Sequence, residues 1–161
     1  MVILLNGCIN SGKTTIGKYI ANSGLSIAHI EVDSLREFIR WMPLNESIEI
    51  NLDNALCVAV NFHKRNIDSV MTYPLSDKSY HYVCDRLEKE GISYCAVTLF
   101  TELHDIKRNR GNRELNDWEL NRIDELFDEG LARPTFGTII NNSKQSIEVT
   151  AKQVLELANL T

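Results

Sequence analysis

At 161 residues, with 43% hydrophobic and 24% charged residues, the chain has the size and composition of one globular domain. Its net charge of −5 argues against a protein that coats nucleic acid, which needs clustered Lys and Arg for phosphate contacts. No apolar run approaches the roughly 20 residues that span a bilayer, so no membrane role is expected. The opening apolar residues lack a basic region before them and are not read as a signal peptide. Cys8, Cys57, Cys84 and Cys95 form no CxxC pair and read as free thiols of a reducing cytoplasm. His29, His63, His81 and His104 lack ligand spacing, so no metal site built from protein side chains alone is expected.

Along the chain, residues 2–5 form a short apolar strand, followed by a Gly-bearing loop and a helix. Ile16, Tyr19 and Ile20 give that helix an apolar face, and Gly24 suits its C-terminal cap. A second strand covers 26–32. A short helix follows with Leu35, Phe38 and Ile39 on its inner face, stopping before Pro43. Residues 50–65 fit a longer helix on Leu52, Ala55, Leu56, Ala59 and His63, and 69–73 a third strand. Tyr80, Val83, Cys84 and Leu87 mark a helix closed by Gly91, and 94–100 a fourth strand. A polar, Arg-rich helical hairpin spans 103–129 and ends at Gly130, ahead of a fifth strand at 136–140 and a closing helix at 147–160. Strands alternating with helices, without linker or repeat, indicate a single α/β domain over residues 1–161, a parallel sheet with helices on both faces.

Residues Gly7, Cys8, Ile9, Asn10, Ser11, Gly12, Lys13 and Thr14 match G-x-x-x-x-G-K-[ST] between a strand and a helix. The chemistry requires those residue types. Two glycines let the backbone turn its N–H groups inward as an anion nest, and the helix start adds partial positive charge. Lys13 supplies an ammonium for the outer phosphates, and the Thr14 hydroxyl is a hard ligand for Mg²⁺. A nucleoside triphosphate with Mg²⁺, held by residues 7–14 and Thr15, is therefore expected, with Cys8 a passive place in the loop. These residues fit ATP and GTP alike, but neither Asp-x-x-Gly nor Asn-Lys-x-Asp of the GTPases occurs.

The opening strand, the phosphate loop, Val32-Asp33-Ser34-Leu35 and Met42-Pro43-Leu44 together resemble the chloramphenicol phosphotransferase-like branch of small P-loop kinases. Arg110-Gly111-Asn112-Arg113 and the stretch 142–148 are also similar to that branch. The resemblance implies the shikimate kinase-like P-loop fold, a three-layer α/β/α sandwich on five parallel strands in the order 2-3-1-4-5. It makes Asp33, at the end of strand 2, the base for the acceptor hydroxyl, beside its other reading as a helix N-cap. It implies that Arg108, Arg110 and Arg113 belong to a lid at about 103–130, with Arg108 on the nucleotide and Arg110 and Arg113 among the catalytic residues with Lys13 and Asp33.

Asp-x-Leu-Arg also resembles nucleoside-monophosphate kinases, which points Arg36 at an anionic acceptor. Asp33, Arg36 and Tyr73 are thus the expected acceptor-binding residues. The acid that such enzymes often carry at the end of strand 3 is missing, since Thr72 and Tyr73 stand there. Glu31 and Asp33, alternate residues of strand 2, would share one face, with Glu31 reaching Mg²⁺ through water beside Thr14. The expectation is an ATP-dependent kinase for a hydroxyl of a small metabolite or antibiotic-like acceptor, a monomer or homodimer. Its rivals are a nucleoside or nucleotide kinase and a nucleotide-binding protein without catalysis.

Overall fold

The computed structural model describes residues 1–108 and 114–160. In chain order the strands are β1 (Val2–Gly7), β2 (Ile27–Glu31), β3 (Asp68–Thr72), β4 (Tyr94–Phe100) and β5 (Thr138–Asn141). The helices are α1 (Lys13–Ala21), α2 (Val32–Leu35), α3 (Leu44–His63), α4 (Asp77–Lys89), α5 (Leu103–Ile106), α6 (Asp117–Asp128) and α7 (Ile147–Leu157), with a 3₁₀ turn at Arg36–Ile39. All strand pairs are parallel, and the sheet order is β2-β3-β1-β4-β5, as expected.

β1 is buried along its whole length because it lies at the centre of a sheet covered on both faces. Its side chains alternate between two cores. Val2 and Leu4 pack with Leu52, Leu56 and Ala59 of α3 and Val83 and Leu87 of α4. Ile3 and Leu5 pack on the other side with Ile16 and Ile20 of α1 and Ala151 and Val154 of α7. A third cluster joins Cys8 to Phe100, Ile106, Ile123, Leu126 and Ala132, so part of the phosphate loop packs against α5 and α6. Parallel strands put all carboxyl ends on one side, where ligands of such sheets bind.

Several boundaries differ from the sequence reading, for physical reasons. β2 stops at Glu31, so Asp33 is the second residue of a helix and Glu31 occupies the N-cap position. Asp33 is therefore neither a strand residue nor a cap, and it does not share a strand face with Glu31. α3 begins at Leu44 because Pro43 at the N-cap position has no N–H to lose there. The tight turn at Arg36–Ile39 does not keep the α-helical period, and Phe38, expected inside, is 80% exposed. In the hairpin expected over 103–129, α5 is only four residues long, and α6 starts at Asp117 behind an Asn116–Glu119 capping box.

Candidate functional site

The phosphate loop turns on three left-handed residues, Asn10 at φ 64°, Gly12 at φ 95° and Gly7 at φ 147°. A Cβ on Gly7 would sit 2.6 Å from Ser11 Oγ and 2.7 Å from the Leu99 carbonyl, so only glycine lets the loop close on β4. The Ser11 N–H donates to Cys8 O at 3.2 Å, forming a tight turn. Asn142 fixes the loop from outside: its Nδ2 donates to Ser11 O at 2.8 Å, and its Oδ1 accepts from Thr101 Oγ1 at 2.7 Å. Gly12, at the N-cap of α1, offers no side chain to the first-turn N–H groups, which leaves them to an anion. Lys13 Nζ donates to Cys8 O at 2.8 Å, folded along the loop's rim. Burial pushes the Cys8 thiol up to about 11, against the positive charges of Lys13 and Arg122, so it stays protonated.

Thr14 points to the opposite wall of the cleft. Gly17 of α1 lies over His29 and Thr72, where a Cβ would come within 2.7 Å of the imidazole and 2.9 Å of Thr72 Cγ2. Its bare Cα lets α1 settle onto β2 and β3, and Thr14 Oγ1 then donates to Glu31 Oε1 at 2.5 Å. Ser34 Oγ donates to the other Glu31 oxygen at 3.4 Å. In the sheet register Glu31 pairs with Thr72, which pairs with Leu5. Glu31 thus stands one strand over from the position where the missing acid of β3 would be. Thr72 Oγ1 is 3.0 Å from His29 Nε2, a ring whose protonation burial disfavours, against the pull of Glu31. Two hard oxygens facing each other beside the anion nest fit a Mg²⁺ ion that keeps most of its water.

Asp33 opens onto the same cleft. Its side chain remains solvent-exposed, yet the surrounding walls displace enough water to raise its carboxyl above the usual range. Lys13 and Arg36 pull it down, and Glu31 adds to the upward push. Burial, with Asp33 next, pushes the Tyr73 phenol up to about 12, while Arg36 and Arg122 oppose the rise. The backbone after β3 is held by Asn6, which donates to Thr98 Oγ1 at 3.0 Å and accepts from Leu75 N at 2.8 Å. Arg36 Nη2 reaches Met42 O only at 3.5 Å, and its buried Nε has no hydrogen-bond partner among the described residues.

Lys13, Thr14, Glu31, Asp33, Arg36 and Tyr73 therefore gather at one end of the sheet. Arg108 lies at the exit of α5, its guanidinium 2.8 Å from His104 Nε2. Arg110 and Arg113 lie outside the described residues. The sequence reading missed Arg122 of α6. It bonds Glu125 and Glu129 at 2.7 and 3.3 Å, and its charge acts on both Cys8 and Tyr73. In sequence it looks like an ordinary helical i, i+3 pair, and only the folding of α6 onto the loop gives it a place here. Also missed was a cleft of about 290 Å³ lined by Asn10, Gly12, Thr15, Asn142, Gln145 and Ile147. It continues the phosphate loop toward the start of α7, which Ser146 caps by accepting from Val149 N.

No protein-family model and no curated protein matches the sequence. Solved structures do. APS kinase from Mycobacterium tuberculosis, in complex with AMPPNP and APS, superposes with a TM-score of 0.71 at 17% identity, covering 98% of this chain and 96% of that one. Shikimate kinase from Bacteroides thetaiotaomicron gives 0.65 at 18% identity over 99% of both chains. The tunicamycin resistance protein of Deinococcus radiodurans gives 0.67 at 18% identity, over 99% of this chain and 96% of that one. At such identities the likeness carries the architecture alone: this chain has the five-stranded parallel P-loop fold that those structures share.

Proposed function

We propose that the chain is an ATP-dependent kinase that transfers the γ-phosphoryl group to a hydroxyl of a small metabolite or antibiotic-like acceptor. The observation that carries this reading is the convergence of an anion nest, Lys13 and Thr14 with the Asp33 carboxyl in one cleft. That some structures of this architecture are kinases, one with AMPPNP and a small acceptor bound, supports the same reading.

The nucleotide's phosphates would lie in the nest of residues 7–14, with its base in the cleft beside Thr15 and Gln145. Thr14 and Glu31 would hold Mg²⁺, Glu31 through water. When bound, the ion neutralises charge on the outer phosphates. Lys13 would leave Cys8 O for those phosphates. Asp33 accepts the proton of the acceptor hydroxyl as its oxygen forms a bond to Pγ, and the bond from Pγ to the β–γ bridging oxygen breaks, with its electrons going to ADP. The walls that raise the Asp33 pKa make the carboxylate a better base than one with no walls around it. Arg36 and Tyr73 border the acceptor, and Arg108, Arg110 and Arg113 would neutralise charge on the transferred group.

A second reading, a nucleoside or nucleotide kinase, is favoured by Arg36, whose buried Nε has no hydrogen-bond partner among the described residues. A screen of sugars, hydroxy acids, hydroxylated antibiotics and nucleotides for ADP release above the hydrolysis background tests both. Release with one acceptor class, falling about 10²-fold in Asp33→Asn, supports the kinase. Tight ATP–Mg²⁺ binding without transfer to any acceptor would replace it by a non-catalytic nucleotide-binding protein.

A further inference from the structure

Asn10 does more than make a turn. Its φ of 64° is a conformation that Asn tolerates better than most residues. Its side chain then crosses to α5, where Nδ2 donates to Ile106 O at 2.7 Å and to Arg108 O at 3.1 Å. Carbonyls at the C-terminal end of a helix lack partners within it and carry partial negative charge. Here the side-chain amide of a phosphate-loop residue meets one of them, Ile106 O, and the Arg108 carbonyl two residues further on. The neighbouring Cys8 and Ile9 reinforce the link by packing with Ile106, Ile123 and Leu126. The loop is thus held on two sides, by Asn142 toward β5 and by Asn10 toward α5. Arg108 has its main chain fixed to the loop, while its exposed guanidinium rests on His104 Nε2 at 2.8 Å. The Arg108 main chain is thus one hydrogen bond away from a residue of the anion nest.

We infer that Asn10 is a positioning residue that sets Arg108 for contact with the outer phosphates of the nucleotide. The inference rests on the nucleotide-binding reading proposed above, and its test separates the two. Asn10→Gly keeps the left-handed backbone accessible and removes the tether, whereas Asn10→Asp keeps the side-chain size but turns an acceptor toward two carbonyls.

Titration calorimetry with ATP–Mg²⁺ and with AMP is run on the wild type, both Asn10 variants, Arg108→Ala and the Asn10→Gly, Arg108→Ala double variant. Each single variant is expected to weaken ATP binding about 10-fold, the scale of one charge-assisted contact, and to leave AMP binding near the wild-type value. The double variant should bind ATP no more weakly than the poorer single, because residues acting as one unit are not additive. Additive losses, equal losses for ATP and AMP, or a lowered melting temperature with unchanged ATP affinity would each overturn the inference while leaving nucleotide binding in place. A wild-type protein that does not bind ATP–Mg²⁺ would remove both.

Discussion

The two banks of the cleft are built differently. On the phosphate bank Gly7 closes against β4, and Asn142 and Asn10 hold the loop from opposite sides. On the acceptor bank Arg36 has a buried nitrogen without a partner among the described residues, and the chain just after it leaves Phe38 and Trp41 80% and 79% exposed. In the reading proposed above, the first bank is preorganised for a ligand of one shape, a chain of phosphates. In that reading the second would offer a base and a cation with their contacts still to be made, as a site for acceptors of varied shape needs.

The largest effect that divides the banks belongs to Lys13. Lys13→Ala removes the ammonium from the nest, and its side chain contributes to no apolar cluster, so the fold is expected to survive. Phosphoryl transfer should fall by about 10²–10³-fold or more, and the stabilisation of the melting temperature by ATP–Mg²⁺ should disappear. Scanning calorimetry with and without nucleotide, beside the transfer assay, measures both. Wild-type nucleotide stabilisation in this variant would mean that the phosphate bank is not one.

The same division governs what could be read from the sequence. β4 carries the same bounds in sequence and structure, Tyr94–Phe100, because a central strand buried on both faces is a continuous apolar run between turn residues. The phosphate loop is legible because its ligand dictates glycines, Lys and Thr at fixed spacing. The acceptor bank is not. Asp33 reads as a strand end or a cap in sequence, and the structure puts it inside a four-residue helix, since nothing local marks where β2 stops. Phe38 reads as core because its spacing fits an α-helix, and the 3₁₀ turn sends it to solvent. Asn142 and Arg122 act over more than 100 residues of chain on Ser11 and Cys8, a separation at which no sequence period helps.

An intermediate effect lies in the pH dependence of transfer. Burial raises the Asp33 carboxyl, so the base form is lost at a pH above the ordinary carboxylate value of about 4. The maximal rate should therefore rise with pH along a limb displaced upward from that value, and Asp33→Asn should lose the limb together with the rate. ATP affinity should show no such limb. A rate–pH profile without an acid limb, in an enzyme that still transfers phosphate, would dismiss Asp33 as the base.

The smallest effect, and the one that sharpens the comparison most, belongs to Arg36. Its guanidinium lowers the Asp33 pKa, opposing burial, and its buried Nε waits for an acceptor. Arg36→Ala removes both influences at once, and the one hydrogen bond it breaks among the described residues is to Met42 O. The acid limb of the rate profile should then move further upward, because the favourable charge beside the carboxylate is gone while the crowding walls remain. KM for an anionic acceptor should rise about 10-fold, the scale of one lost charge-assisted contact, with little change for a neutral acceptor, and the affinity for ATP should stay at the wild-type value. Steady-state kinetics over pH with one anionic and one neutral hydroxyl compound separates these effects. If the limb shifts while both KM values hold, Arg36 tunes the base alone and the acceptor needs no negative charge. If ATP affinity falls with it, the two banks are coupled, and the division between a fixed phosphate side and an open acceptor side fails.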